Sequence, residues 1–231
     1  MKKIIFALLS FFITANVLAQ SSETIVVKGA DVKEFLATKV YKYPQFIQSK
    51  IYFKKGGNAV AKLNYNYLLG GVQFINEHKD TLMLDNVDDL DYLTIANDTI
   101  FYDNGYLEWM ASSPDTKLAR RISFSIIGGG AQKVGAFGSS NNTQNMDAIN
   151  TMYSNTTDEL SLNEEVKFKK TVTYFIKGRK GEFMAANKSN FEDVFPKVEI
   201  KDYIKQNNLN LKKEKDVVDL FLYANHETLA K

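Results

Sequence analysis

Short segments of alternating apolar and polar residues fill the chain between residues 20 and 127. Lys62, Asn64 and Asn66, for example, alternate with a leucine and two tyrosines. This is the period of a half-buried β-strand, and it places the three polar side chains on the exposed side of that strand.

Clusters of glycine, asparagine and aspartate separate these segments. Glycine and asparagine adopt the positive φ angles that tight hairpin turns require, so each cluster predicts a turn between two antiparallel strands. We therefore predict an antiparallel β meander over 20–127, either a curled sheet or a partial barrel. The predicted turns lie at 55–58, 69–71, 77–80, 97–98 and 103–105.

The segment 128–163 is rich in glycine, serine and asparagine. Such a composition buries too little apolar surface to offset the entropy of ordering the chain. We predict a flexible loop, and we favour disorder over an ordered functional loop. A phosphate-binding loop is excluded, because no Lys-Ser or Lys-Thr pair follows the glycines.

The segment 164–231 is predicted to form a β-hairpin followed by a helical tail. Ser189 is predicted to cap the first helix and Pro196 to begin the second. Amphipathic helices bury their apolar stripe against a neighbouring surface, here the sheet. The predicted fold is therefore α+β, mainly antiparallel β, with the C-terminal helices packed on the meander and with 20–127 and 164–231 in one globular unit.

Residues 1–19 have the pattern of a cleavable signal peptide. Lys2 and Lys3 precede an apolar run, and Ala19 provides a small residue at the predicted cleavage site. The run is shorter than the about 20 apolar residues that span a bilayer, which argues against a membrane anchor in the mature protein. The sequence predicts export, with the periplasm favoured over secretion or surface association.

The amino-acid composition limits the catalytic and binding functions that the chain can have. The chain has no cysteine and two histidines, so thiol catalysis is excluded and a zinc site is disfavoured. Without Lys2 and Lys3 the basic residues balance the 27 acidic ones, whereas nucleic-acid-binding proteins usually carry a basic excess. His78 in a predicted turn and His226 near the C-terminus are interpreted as solvent-exposed residues. No cofactor is expected.

Four clustered carboxylates, Asp85, Asp88, Asp89 and Asp91, resemble a Ca²⁺ site only superficially. Their spacing does not match an EF-hand loop. We favour a helix-capping role in which Asp85 and Asn86 cap a short helical turn. No metal site is therefore predicted.

Three aromatic residues, Tyr102, Tyr106 and Trp109, lie around one predicted turn. Exposed aromatic side chains can stack on sugars or peptides, although packing in the core is their more common role. They are weak candidates for a binding surface.

A local excess of basic residues marks the predicted hairpin and supplies Lys167, Lys169 and Arg179 as further weak candidates. Such a face can contact lipopolysaccharide or an anionic glycan, but a solvated outer face is the more common interpretation.

Two stretches of the chain resemble exported proteins of Bacteroidota that have a β-rich front and a short helical ending. They are YPQFIQSKIYFKKGGNAVAKLNYNYLLGGVQFINEHKDTLML and NFEDVFPKVEIKDYIKQNNLNLKKEKDVVDLFLY. The resemblance implies a Gram-negative envelope setting and carries no catalytic or ligand-binding residue. Asp80-Thr81-Leu82 and Asp98-Thr99-Ile100 also resemble the Asp-Thr-aliphatic O-glycosylation acceptor of that phylum, and both fall in predicted turns.

The sequence therefore favours a non-enzymatic envelope protein that binds another envelope protein or a glycan. The alternative is a carboxylate-dependent periplasmic hydrolase. That alternative requires a cleft with two carboxyl groups roughly 5–10 Å apart, of which one has a raised pKa. A chaperone with a β-rich groove is a weaker third hypothesis.

Overall fold

Successive hairpins build one large antiparallel sheet. The structure, a computed structural model, describes residues 20–128 and 165–229. The predicted signal peptide and nearly all of the predicted 128–163 loop lie outside the described residues. Within the described ranges, no helix combines the length and the apolar character needed to cross a membrane.

The described residues form eleven strands, four α-helices and one π-helical turn, Phe35–Lys39. The strands are β1 (Gln20–Lys28), β2 (Ile47–Phe53), β3 (Asn58–Asn66), β4 (Gly71–Ile75), β5 (Thr81–Met83), β6 (Leu90–Ile95), β7 (Asp98–Tyr102), β8 (Tyr106–Ser112), β9 (Lys117–Gly128), β10 (Glu165–Lys177) and β11 (Met184–Ala185). The helices are α1 (Gly29–Glu34), α2 (Lys188–Val194), α3 (Ile200–Gln206) and α4 (Glu214–Leu229).

The sheet has the strand order β1-β10-β9-β8-β7-β6-β2-β3-β4-β5, and β11 pairs with β10. All pairs are antiparallel. The predicted fold class is confirmed as an open, mainly antiparallel sheet with C-terminal helices. Glycines provide the expected turn geometry, for example at Gly56 and Gly57 between β2 and β3, where φ is 88° and 85°.

The sheet is strongly curled. Tyr65 of β3 and Tyr106 of β8 lie four strands apart in the sheet order, roughly 19 Å in a flat sheet. Their ring centroids are nevertheless only 6.1 Å apart. The backbone N–H of Phe124 in β9 also donates to the carbonyl of Tyr67, just beyond β3, at 2.9 Å. The side enclosed by this curl is called the inner face, and the opposite side is called the outer face.

Helices cover the inner face at both ends of β9 and β10. At one end, Phe191 of α2 and Phe221 of α4 pack in a buried cluster with Ile176 of β10. At the other end, Phe35 of the π-helical turn stacks on Phe168 with 4.5 Å between ring centroids. Burial of these apolar side chains is the main driving force that holds the helices on the sheet.

Two of the polar residues predicted on the exposed side of β3 are buried. Asn64 is 1% exposed and exchanges hydrogen bonds with the backbone N–H and carbonyl of Tyr43. Asn66 accepts hydrogen bonds from the backbone N–H groups of Leu68 and Leu69. The prediction was wrong because the chain before β2 lies against this end of β3. There Asn64 satisfies the backbone of Tyr43, while Asn66 satisfies backbone groups of the turn that follows β3.

The starts of the first two C-terminal helices also differ from the prediction. Asn187, not Ser189, is the N-cap of α2, because its side-chain oxygen accepts from the backbone N–H of Asn190 at 2.9 Å. Pro196 lies in the turn after α2, and α3 begins only at Ile200. Proline is common just beyond a helix end, where its missing N–H prevents continuation of the helix.

Candidate functional site

An open groove crosses the outer face of the sheet above β6, β7 and β8. Thr99 of β7 forms its floor between Tyr92 of β6 and Trp109 of β8, and Asn97 closes one end. The groove holds about 760 Å³ of empty space that opens to solvent. Thr99, predicted in a turn, is the second residue of β7, whereas Thr81 is the first and exposed residue of β5.

Neighbouring rings hold both aromatic walls of the groove. Trp109 meets Phe101 edge to face, with 6.0 Å between ring centroids, and Phe101 in turn packs on Phe183 at 5.1 Å. On the other wall, Tyr92 stacks on Tyr52 at 4.5 Å. These contacts leave the two groove-lining rings half-buried and fix their orientation.

Two lysines border this aromatic surface. The ammonium group of Lys117 lies 4.5 Å from the Trp109 ring centroid, and that of Lys177 lies 5.5 Å from the Phe183 ring centroid. Both are cation–π distances. The groove therefore combines flat apolar rings, neutral polar groups on its floor and positive charge at its border.

The structure separates the three predicted aromatic candidates onto the two faces of the sheet. Trp109 faces outward, whereas Tyr102 and Tyr106 are cross-strand partners on the inner side, where their rings meet edge to face at 5.3 Å. Tyr106 is buried, and its hydroxyl donates to the carbonyl of Leu84. The sequence could have shown this separation, because side chains alternate between the two faces along a strand. Trp109 lies three positions, an odd number, after Tyr106 and so faces the opposite side.

The predicted basic candidates do not form one patch. Lys167 and Lys169 lie near the start of β10, where both pair with strand residues of β1 and β9. Lys177 lies at the other end of β10, roughly 33 Å along the strand from Lys167. Arg179 is exposed beyond that end and forms an ion pair with Asp115 at 2.6 Å.

A second constellation, which sequence reasoning missed, lies on the inner face. The Lys42 ammonium group contacts the carboxylates of Asp98, at 3.1 Å, and Glu108. Arg120 bonds Glu108 and Glu214, each at 2.6 Å, and so links the sheet to α4. No sequence pattern connects these five residues, because the curl of the sheet and the docking of the last helix bring them together.

Hydrogen bonding sets the charge states in this network. Burial disfavours the Asp98 carboxylate, but hydrogen bonds from Tyr43 and Lys42 outweigh it and lower the pKa of Asp98. Burial likewise disfavours the Arg120 cation, but the Glu108 and Glu214 carboxylates raise the pKa of Arg120. Both shifts favour the charged forms of Asp98 and Arg120, each of which is paired within the network.

A narrow cavity adjoins the network. Tyr65, Tyr67 and Tyr106 line it together with Arg120, and its empty space is about 230 Å³, including the part that opens to solvent. Its interior has room for about one water molecule. The buried Nε atom of Arg120 has no hydrogen-bond partner among the described residues. Burial raises the pKa of Tyr65 to about 12, so its hydroxyl stays protonated at neutral pH.

The charges around Asp98 do not favour its use as a general acid. A general acid needs a raised pKa, whereas the pKa of Asp98 is lowered, and a single ammonium group bridges Asp98 and Glu108. The described residues contain no group of three metal-ligating side chains. Asp88 and Asp89 form a turn that leads directly into β6, so the helical turn predicted after Asp85 is absent from this described segment.

Comparison of the chain with family models, with curated proteins and with solved structures finds no match. The function is therefore inferred from the side chains at the groove and at the inner network.

Proposed function

We propose that the protein is a non-enzymatic binding module that holds a saccharide in the outer-face groove. The observation that supports this proposal is the placement of the Trp109 and Tyr92 rings on either side of Thr99, with Asn97 at one end. Flat rings next to neutral hydrogen-bonding groups suit a ligand that is itself both apolar and polar.

A pyranose ring has this character. Its C–H faces are apolar and pack on aromatic rings, while its hydroxyl groups both donate and accept hydrogen bonds. The Asn97 amide offers two donors and an acceptor, and the Thr99 hydroxyl offers one donor and acceptor sites. The groove is open to solvent, which suits a segment of a longer saccharide better than a fully enclosed small molecule.

The groove is also preorganised. Phe101 braces Trp109, and Tyr52 braces Tyr92, so binding does not have to immobilise either ring. Ordering a mobile side chain at an interface costs about 0.5–1.5 kcal/mol, and a braced ring avoids that cost. We further propose that the module acts outside the cytoplasm, where the signal-peptide pattern of residues 1–19 would direct it.

Isothermal calorimetry against a panel of oligosaccharides tests the proposal. We expect at least one saccharide to bind, and we expect Trp109→Ala to weaken that binding by about 30-fold, since loss of a central aromatic contact costs about 2 kcal/mol.

Tyr102→Ala is the matched control, because it removes a more exposed aromatic ring from the neighbouring strand on the inner side of the sheet. Its affinity should equal that of the wild type. Equal affinities for the wild type and Trp109→Ala, or no binding by any saccharide, would contradict the proposal.

A further inference from the structure

Two lysines next to the groove lie opposite each other on neighbouring strands. Lys117 of β9 and Lys177 of β10 are directly opposed in the antiparallel register. Like charges at directly opposed positions destabilise a sheet. Sheet stability alone therefore does not explain this pair.

Neither lysine forms an ion pair with a carboxylate among the described residues. The nearby Asp115 is already paired with Arg179 at 2.6 Å. Asp98 lies between Asn97 and Thr99 in the sequence, but its side chain is on the inner side of the sheet. There it contacts Lys42 and Tyr43. The positive charge at the groove border is thus uncompensated within the described part of the chain.

The positive charge of Lys117 also lies against the wall of the groove. The Lys117 ammonium group lies over the same Trp109 ring that lines the groove, and Lys177 lies across the strand pair from Lys117. A ligand stacked on Trp109 therefore lies next to the Lys117 ammonium group, and Lys177 is the cross-strand neighbour of Lys117. The polar side chains that line the groove, Asn97 and Thr99, are by contrast neutral.

We infer that the saccharide bound by this groove is acidic, and that its carboxylate or sulfate groups are held by Lys117 and Lys177. The inference rests on the proposed function and adds the chemical class of the ligand. An anionic substituent near the two ammonium groups offsets part of their charge and reduces their mutual repulsion.

The test measures the affinity of the full chain for three oligosaccharides of equal length. One is neutral, one carries uronic acid carboxylates and one carries sulfate esters. We expect at least one acidic oligosaccharide to bind about tenfold more tightly than the neutral one at low salt, and the preference to shrink as the salt concentration rises. The two acidic arms distinguish carboxylate from sulfate recognition.

The double variant Lys117→Gln/Lys177→Gln should reduce the preference for the acidic ligand to about twofold or less. Lys167→Gln/Lys169→Gln is the matched control, because it removes the same charge from the distant end of β10. This control should keep the full preference. Thermal unfolding checks the fold of both variants, and we expect both to remain folded.

Two results would overturn the inference. One is a wild-type protein that binds the neutral oligosaccharide as tightly as both acidic ones. The other is a Lys117→Gln/Lys177→Gln variant that is folded and keeps the acidic preference. Both leave saccharide binding at Trp109 intact, whereas failure of the proposed function appears as no binding or as an unaffected Trp109→Ala variant.

Discussion

At the scale of single residues, the buried ion network makes the fold sensitive to the loss of any one of its charges. The side chains of Lys42 and Glu108 are 10% and 12% exposed, so their charges are largely removed from water. Removing one member of a buried ion pair leaves an uncompensated charge, which costs more than the pair itself contributes. Glu108 is central because it contacts both Lys42 and Arg120.

We therefore expect Glu108→Gln to lower the free energy of unfolding by about 3 kcal/mol. Lys215→Gln is the control, since it breaks an exposed pair with Asp219 within α4 and should change the free energy of unfolding far less. Urea unfolding at neutral pH measures both values. Similar losses in the two variants would show that the inner network does not act as a buried unit.

The lowered pKa of Asp98 predicts a pH dependence. Because the folded state lowers this pKa, Asp98 stabilises the fold at neutral pH, and the contribution is lost as the pH falls below the usual carboxyl range of about 4. Urea unfolding between neutral and acidic pH should therefore show a shallower decline for Asp98→Asn than for the wild type. Parallel pH profiles would mean that Asp98 titrates alike in the folded and unfolded states.

At the scale of secondary-structure elements, the sequence prediction and the structure differ in the N-cap of α2, which is Ser189 in the prediction and Asn187 in the structure. Asn187→Ala should lower the free energy of unfolding by about 1 kcal/mol, because it removes the hydrogen bond to the Asn190 N–H. Ser189→Ala should change it little, because Ser189 lies inside α2 and is exposed. Thermal or urea unfolding measures both variants, and a larger loss for Ser189→Ala would reassign the cap.

The sequence predicted the strands and turns well because their signals are local. Alternation along a strand and the φ freedom of residues such as Gly56 are set by neighbouring positions. The errors arose where distant segments decide the outcome. The Asn64 side chain is buried against the backbone of Tyr43, which belongs to the chain before β2. Asn187 and Ser189 are equally suitable caps until the helix position is fixed.

At the scale of the whole molecule, the two faces of the sheet have different roles. Helices and paired charges occupy the inner face, whereas the outer face presents braced aromatic rings next to two lysines that form no ion pair with any described carboxylate. The sequence identified Trp109 as a candidate but grouped it with inner-side tyrosines. It gave no signal for Tyr92 as a partner of Trp109 in the groove, because strand order, not sequence proximity, places β6 and β8 on either side of β7.

Tryptophan fluorescence tests the central claim most directly, because Trp109 is the only tryptophan in the chain and lines the proposed groove. Titration with the saccharide that binds most tightly should change its emission in a saturable manner, with the dissociation constant found by calorimetry. Tyr92→Ala should shift that curve to higher ligand concentration. Calorimetric binding that leaves the Trp109 emission unchanged would place the ligand elsewhere and contradict the account.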